Sequence, residues 1–194
     1  ILRENAVSMT MNKINHAIYC IIDDVRSSHF FDFIERGLLP NFKRLMDQGI
    51  CSQTCITDFP SVTYPTQPTQ ITGTYTGDYR NEGCHGIPAY NWMGRYYAPP
   101  ILRSYGAPGS DEFIQAYKLD SDLGQNCKTF LEMTGEGNHA SITQLISRGT
   151  DYLFPESKLK LAFFYELILH ARNEKKMTAR ANTMVVRKLL DTFR

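Results

Sequence analysis

The apolar and polar positions of the chain change period several times, and each change predicts an element. His16 to Asp23, HAIYCIID, is a short apolar run that ends abruptly in acid. Buried parallel strands have this pattern, and their C-terminal ends are where open α/β sheets place ligands. Phe30 to Gly49, FFDFIERGLLPNFKRLMDQG, has helical spacing. Gly37 and Pro40 divide it into two short helices, and Gly49 stops the second. The β-branched content of Ile50 to Thr57, ICSQTCIT, predicts a second strand. After the hydroxyl-rich turn that opens at Phe59, a short helix is expected to run to about Gly73.

Thr74 to Gly109 is rich in Tyr, Gly and Pro and predicts a long loop-rich insertion, of the kind that forms functional walls or lids. Asp111 to Lys118 and Leu123 to Met133 predict helices, whereas Ala140 to Ile146 fits a third strand or a helix continuation equally well. Ser157 to His170 is apolar nearly all round and predicts a buried helix. Met177 to Arg194 predicts an amphipathic helix with Met177, Ala181, Met184, Val185 and Leu189 on its inner stripe. Arg180, Arg187 and Lys188 lie on the other face, read as a solvated face in preference to a site for an anionic partner.

Composition narrows the function classes. With 194 residues, 42% hydrophobic and 21% charged, the chain is long enough for one α/β domain spanning 1–194 with a sizeable core. A net charge of +1 gives no electrostatic case for a nucleic acid polymer as partner. The longest apolar run, Leu159 to Leu169, carries Lys160 and Glu166 and is too short to span a bilayer, so no membrane span is expected. Five cysteines without a CxxC pair predict buried, reduced thiols, an expectation that leans to a reducing, cytoplasmic compartment. The chain starts at Ile1 and stops at Arg194 inside a helical pattern, which suggests a fragment of a longer protein.

Two positions carry candidate chemistry. Asp23 and Asp24 close the first apolar run, where a carboxylate either ligates a divalent cation or begins a turn. Thr63 stands at the entry of the predicted helix. A hydroxyl there is either an N-cap or a nucleophile held where helix amides and dipole favour a phosphate.

The ordered pieces change the balance. Ile21 to Asp23 (IID), LPNFKRLMDQGI from Leu39, TDFPSVTYPT from Thr57, ITG from Ile71, CHGI from Cys84 and YNWMGR from Tyr90 follow one another in series. This series, carried by Ala17 to Arg95, resembles the type I phosphodiesterase/nucleotide pyrophosphatase family of the alkaline phosphatase superfamily. The resemblance implies an α/β fold with a mostly parallel sheet flanked by helices, present here as an incomplete N-terminal portion. It implies a metal-dependent hydrolase of phosphodiester, phosphate ester or phosphonate bonds, acting on a small phosphorylated or phosphonate substrate. Two divalent cations, zinc the expected metal, are implied as cofactors. Asp23 matches a metal-binding aspartate and Thr63 the nucleophile, itself a second metal ligand. Thr66 stands where relatives have a phosphoryl-contacting Asn, Asn91 and Trp92 are candidates for a substrate wall, and His85 is given a structural role in its loop. Asp23 and Thr63 make only two ligands, so the site is expected to be completed beyond Arg194. The alternative is a non-catalytic binding or scaffold protein that keeps the fold without metals, favoured by Asp24 and Thr66 where relatives have Gly and Asn.

Overall fold

The computed structural model describes residues 16–22, 25–105, 113–160 and 174–193. They fall into two compact units, Ile1–Cys55 and Ile56–Arg194.

In the first unit, helix α1 (Ser27–Glu35) and helix α2 (Pro40–Gln48) follow each other as the glycine and proline positions predict. Gly37 takes a φ of 74°. That left-handed conformation lets the Gly37 N–H reach Ile34 O at 3.0 Å and the Leu38 N–H reach Phe33 O at 2.9 Å. The two bonds close the end of α1, and Pro40 then opens α2 at a position where no amide donor is needed. Phe30 meets Phe42 edge-on with ring centres 5.1 Å apart, which packs the two helices face to face.

The strands predicted in this region do not form among the described residues. Residues 16–22 and 50–57 are assigned no strand, and Ile50 is fully exposed. A strand satisfies its backbone only through a partner, and β-branched content cannot supply one. The same lack of cover corrects the thiol expectation: Cys127 is buried, but Cys20, Cys51 and Cys55 are exposed.

The second unit begins with helix α3 (Thr63–Thr72), stopped by Gly73 at φ 68°. Strands β1 (Asn91–Gly94) and β2 (Ile101–Ser104) form an antiparallel pair inside the stretch expected to be loop. A 3₁₀ turn (Phe113–Lys118) leads into α4 (Leu119–Asp122) and then α5 (Phe130–Met133). Helix is confined to the last four residues of the predicted Leu123–Met133 segment. Gly124 explains the interruption, because a Cβ there would lie 2.9 Å from the carbonyl oxygens of both Tyr79 and Cys84. The chain is pressed against another backbone at that point and cannot coil. α5 opens on a reciprocal cap, with Thr129 and Glu132 each accepting the other's backbone N–H.

Strands β3 (Ala140–Ile142) and β4 (Tyr152–Phe154) pair in parallel, resolving the open alternative at 140–146 as a short strand. The chain is thus a mixture of helices and small sheets, with two two-stranded sheets among the described residues. The C-terminal helix α6 (Glu174–Thr192) buries Ala181 and half-buries Met177, Met184, Val185 and Leu189, the predicted inner stripe. Arg180 and Arg187 are exposed, but Lys188 is half-buried with its ammonium 5.0 Å from the Phe154 ring centre. The predicted helix Ser157–His170 lies largely outside the described residues. No helix among the described residues is long and apolar enough to cross a membrane.

The core of the second unit joins α3 to the hairpin and to α4. Tyr64, Ile71, Ile87, Tyr105, Leu119 and Leu123 form its centre, with Trp92 and Tyr90 packed against it. Tyr64 also donates its hydroxyl to Tyr105 O at 3.1 Å, which ties the first turn of α3 to the end of β2.

Candidate active site

Helix α3 starts one residue earlier than an N-cap role for Thr63 would require. Val62 is the cap, in extended conformation and with no side-chain bond, so Thr63 is the first helical residue. The sequence itself explains this placement. Pro65 lacks an N–H and fits the first turn, and the Thr66 N–H is the donor that reaches back to Val62 O at 3.1 Å. Pro68 then lies inside the helix and leaves one of its carbonyls without the usual donor. The Thr63 hydroxyl is half-exposed and has no hydrogen-bond partner among the described residues. It stands at the positive end of α3, where no side chain caps the first amides.

Thr66 and Thr69 follow Thr63 at successive i+3 positions, so the three hydroxyls share a slanted ridge of the helix. Unlike Thr63, both are engaged. Thr66 Oγ1 lies 3.4 Å from Thr57 Oγ1, and Thr57 donates to Asp58 Oδ1 at 3.2 Å. Thr69 Oγ1 is 2.5 Å from Asp58 Oδ2 and 3.0 Å from His85 Nε2. His85 is fully buried, and its Nδ1 accepts the Ile87 N–H at 3.2 Å. Burial pushes the imidazole down to about 4 against the opposing pull of the Asp58 carboxylate, so the ring is neutral.

Asp23 and Asp24 lie outside the described residues. Asn91 is exposed and accepts from Ser104 Oγ at 2.7 Å across the hairpin. Trp92 turns to the core side, 6.3 Å from both Tyr97 and Tyr105 between ring centres. Asp58 and Thr69 carry no role in the sequence pattern. Their signal is weak, since an acid and a threonine eleven residues apart meet only because the turn folds back along α3.

A second polar group lies in the same unit. Asp122 is buried, accepts two bonds from Arg103 and one from Tyr105 at 2.8 Å, and anchors α4 under β2. It is a fully satisfied structural cluster.

Among the described residues no group of three or more His, Cys, Asp or Glu side chains comes together to hold a metal ion. Those residues do not by themselves fit a two-metal centre.

The Thr63 hydroxyl, without a hydrogen-bond partner among the described residues, lies on the opening turn of α3, and the buried His85 meets the same helix further along, at Thr69. Residues 18–141 match the model of the type I phosphodiesterase / nucleotide pyrophosphatase family, and the chain belongs to that family. The match runs past Arg95, through the hairpin, α4 and α5 and into β3. It brings with it an alkaline phosphatase-like α/β fold, generally metal-dependent hydrolysis and small phosphate-ester substrates as the properties of the family. No curated protein and no solved structure matches the chain.

Proposed function

We propose that the protein hydrolyses phosphodiester, phosphate ester or phosphonate ester bonds through Thr63 as nucleophile. The observation that carries this reading is the Thr63 hydroxyl, half-exposed and without a hydrogen-bond partner among the described residues at the start of α3, in a chain of the phosphodiesterase family. Thr63 Oγ attacks phosphorus as the bond to the leaving oxygen breaks; the Thr63 proton passes to solvent water, which returns one proton to the leaving oxygen. A second water then cleaves the phosphothreonine, releasing the phosphoryl product and restoring the hydroxyl. The dipole of α3 favours the negative charge that gathers on the phosphoryl oxygens during both steps. Asp23 is proposed as a ligand of one of two divalent cations, zinc the expected metal, with the remaining ligands outside the described residues. Thr66 is proposed to contact the phosphoryl group, and Asn91 and Trp92 to line the substrate side. The mostly parallel sheet of alkaline phosphatase-like proteins belongs to the same proposal.

The test is hydrolysis of bis-(p-nitrophenyl) phosphate by the protein in the presence of zinc. Thr63→Ala is expected to lower kcat at least a hundredfold, and Thr63→Ser to retain part of it. No hydrolysis above background by either the parent or Thr63→Ala, together with no bound zinc, would favour the scaffold alternative.

A further inference from the structure

Hydrogen-bond arithmetic around His85 fixes the direction of every proton in its neighbourhood. The Ile87 N–H points at Nδ1, so that nitrogen must present its lone pair. A neutral imidazole then carries its single proton on Nε2, which donates to Thr69 Oγ1. Thr69 has one hydroxyl proton and gives it to Asp58 Oδ2, the short charge-assisted partner at 2.5 Å, in preference to Pro65 O at 3.2 Å. The other Asp58 oxygen accepts from Thr57, whose own oxygen then receives the Thr66 proton. The chain of donors runs from the HGI loop, through α3, into the turn that precedes it.

We infer that Asp58, Thr69 and His85 form a proton-ordered brace that fixes the rotation and depth of α3, making them positioning residues for Thr63. The inference rests on the nucleophile reading of Thr63 for its functional consequence, but not for its structural content. The brace needs a group at position 69 that accepts and donates at once. A hydroxyl does both, and an isosteric methyl does neither, so Thr69→Val leaves the buried Nε2–H of His85 and the Asp58 carboxylate without their shared partner. Serine keeps the function of the hydroxyl. At position 85, glutamine retains a donor for Thr69, but its acceptor is a carbonyl oxygen on the same terminal carbon and not a nitrogen at the Nδ1 position that faces Ile87.

Three readouts on the full chain test the brace. First, the ¹⁵N shifts of the His85 ring are expected to show the Nε2–H tautomer. Second, hydrogen exchange at the Thr66 amide is expected to quicken at least tenfold in Thr69→Val and to return to near the parent rate in Thr69→Ser. The Met133 amide, bonded to Thr129 O in α5, serves as an unaffected control. Third, Thr69→Val is expected to lower kcat at least tenfold on bis-(p-nitrophenyl) phosphate with KM unchanged, with Thr69→Ser restoring it. If Thr69→Val does not fold, His85→Gln carries the same comparison, with exchange at Ile87 quickened and Thr66 near the parent rate. An Nδ1–H tautomer, or unchanged exchange at Thr66 in Thr69→Val, overturns the brace. Undiminished hydrolysis by Thr63→Ala removes the nucleophile assignment alone, because tautomer and exchange are read without substrate.

Discussion

Arg103 grips the buried carboxylate of Asp122 through two hydrogen bonds, Nε to Oδ2 at 2.6 Å and Nη2 to Oδ1 at 2.8 Å. The bond to Asp122 holds the guanidinium more firmly protonated than usual, and the Tyr105 hydroxyl beside it is pushed up by burial and by the carboxylate. Truncating one partner leaves the other charge buried and alone. Asp122→Ala is therefore expected to lower the unfolding free energy by about 3–5 kcal/mol. The double replacement Arg103→Met with Asp122→Leu is expected to cost much less, since no charge is stranded. Urea denaturation of the parent and these two variants measures both.

His85 makes stability depend on pH. Its folded value, about 4, lies below the ordinary histidine value of 6.5 because burial disfavours the charged ring. Between these values the unfolded chain binds a proton that the folded chain refuses. The contribution is thus complete above pH ~6.5 and is lost as the pH falls towards ~4, by up to roughly 3 kcal/mol. Denaturation midpoints at pH 7, 6, 5 and 4 should fall steadily, and the fall should be shallower in His85→Gln. An equal slope in the two proteins would contradict the assignment.

Gly86 allows His85 to occupy its place. It has a φ of 78°, and a Cβ there would come within 2.8 Å of Tyr79 Cα. Both the left-handed backbone and the close approach exclude a side chain. Gly86→Ala is expected to cost roughly 3 kcal/mol, the sum of backbone strain and overpacking. Thermal unfolding against the parent protein checks it.

Arg148 supports the interrupted segment between α4 and α5. Its guanidinium donates to Leu123 O at 3.1 Å, Gly124 O at 3.2 Å and Cys127 O, and its Nε reaches Glu132 at 3.0 Å. Those carbonyls belong to a stretch with no helix of its own, so the planar fork supplies donors to Leu123 O and Cys127 O and adds to the Cys127 N–H already on Gly124 O. Arg148→Lys keeps the charge but cannot reach all of them, and is expected to lose about 2 kcal/mol by urea denaturation. A change near zero would show that the fork is dispensable.

The predicted features that appear as expected are those whose causes lie within a few residues. Gly37 and Pro40 place the break between α1 and α2, Gly73 ends α3, and the apolar spacing of Met177 to Leu189 sets the buried stripe of α6. The family pattern around TDFPSVTYPT likewise needs only order along the chain, and it located the family correctly. Each of these is a local steric or periodic constraint, written in the residues that obey it.

Tertiary structure decided what depends on a distant partner. Ile50 to Thr57 has the composition of a strand, yet among the described residues no second strand meets it, whereas the unpredicted hairpin forms because Asn91 and Ser104 find each other. The ordered protons of His85, Thr69 and Asp58 arise from positions 16 and 11 residues apart, joined only once α3 is packed. A sequence carries its backbone preferences openly, but hydrogen bonds between segments exist only after the chain has closed the loops between them, and that closure is decided by the whole core at once.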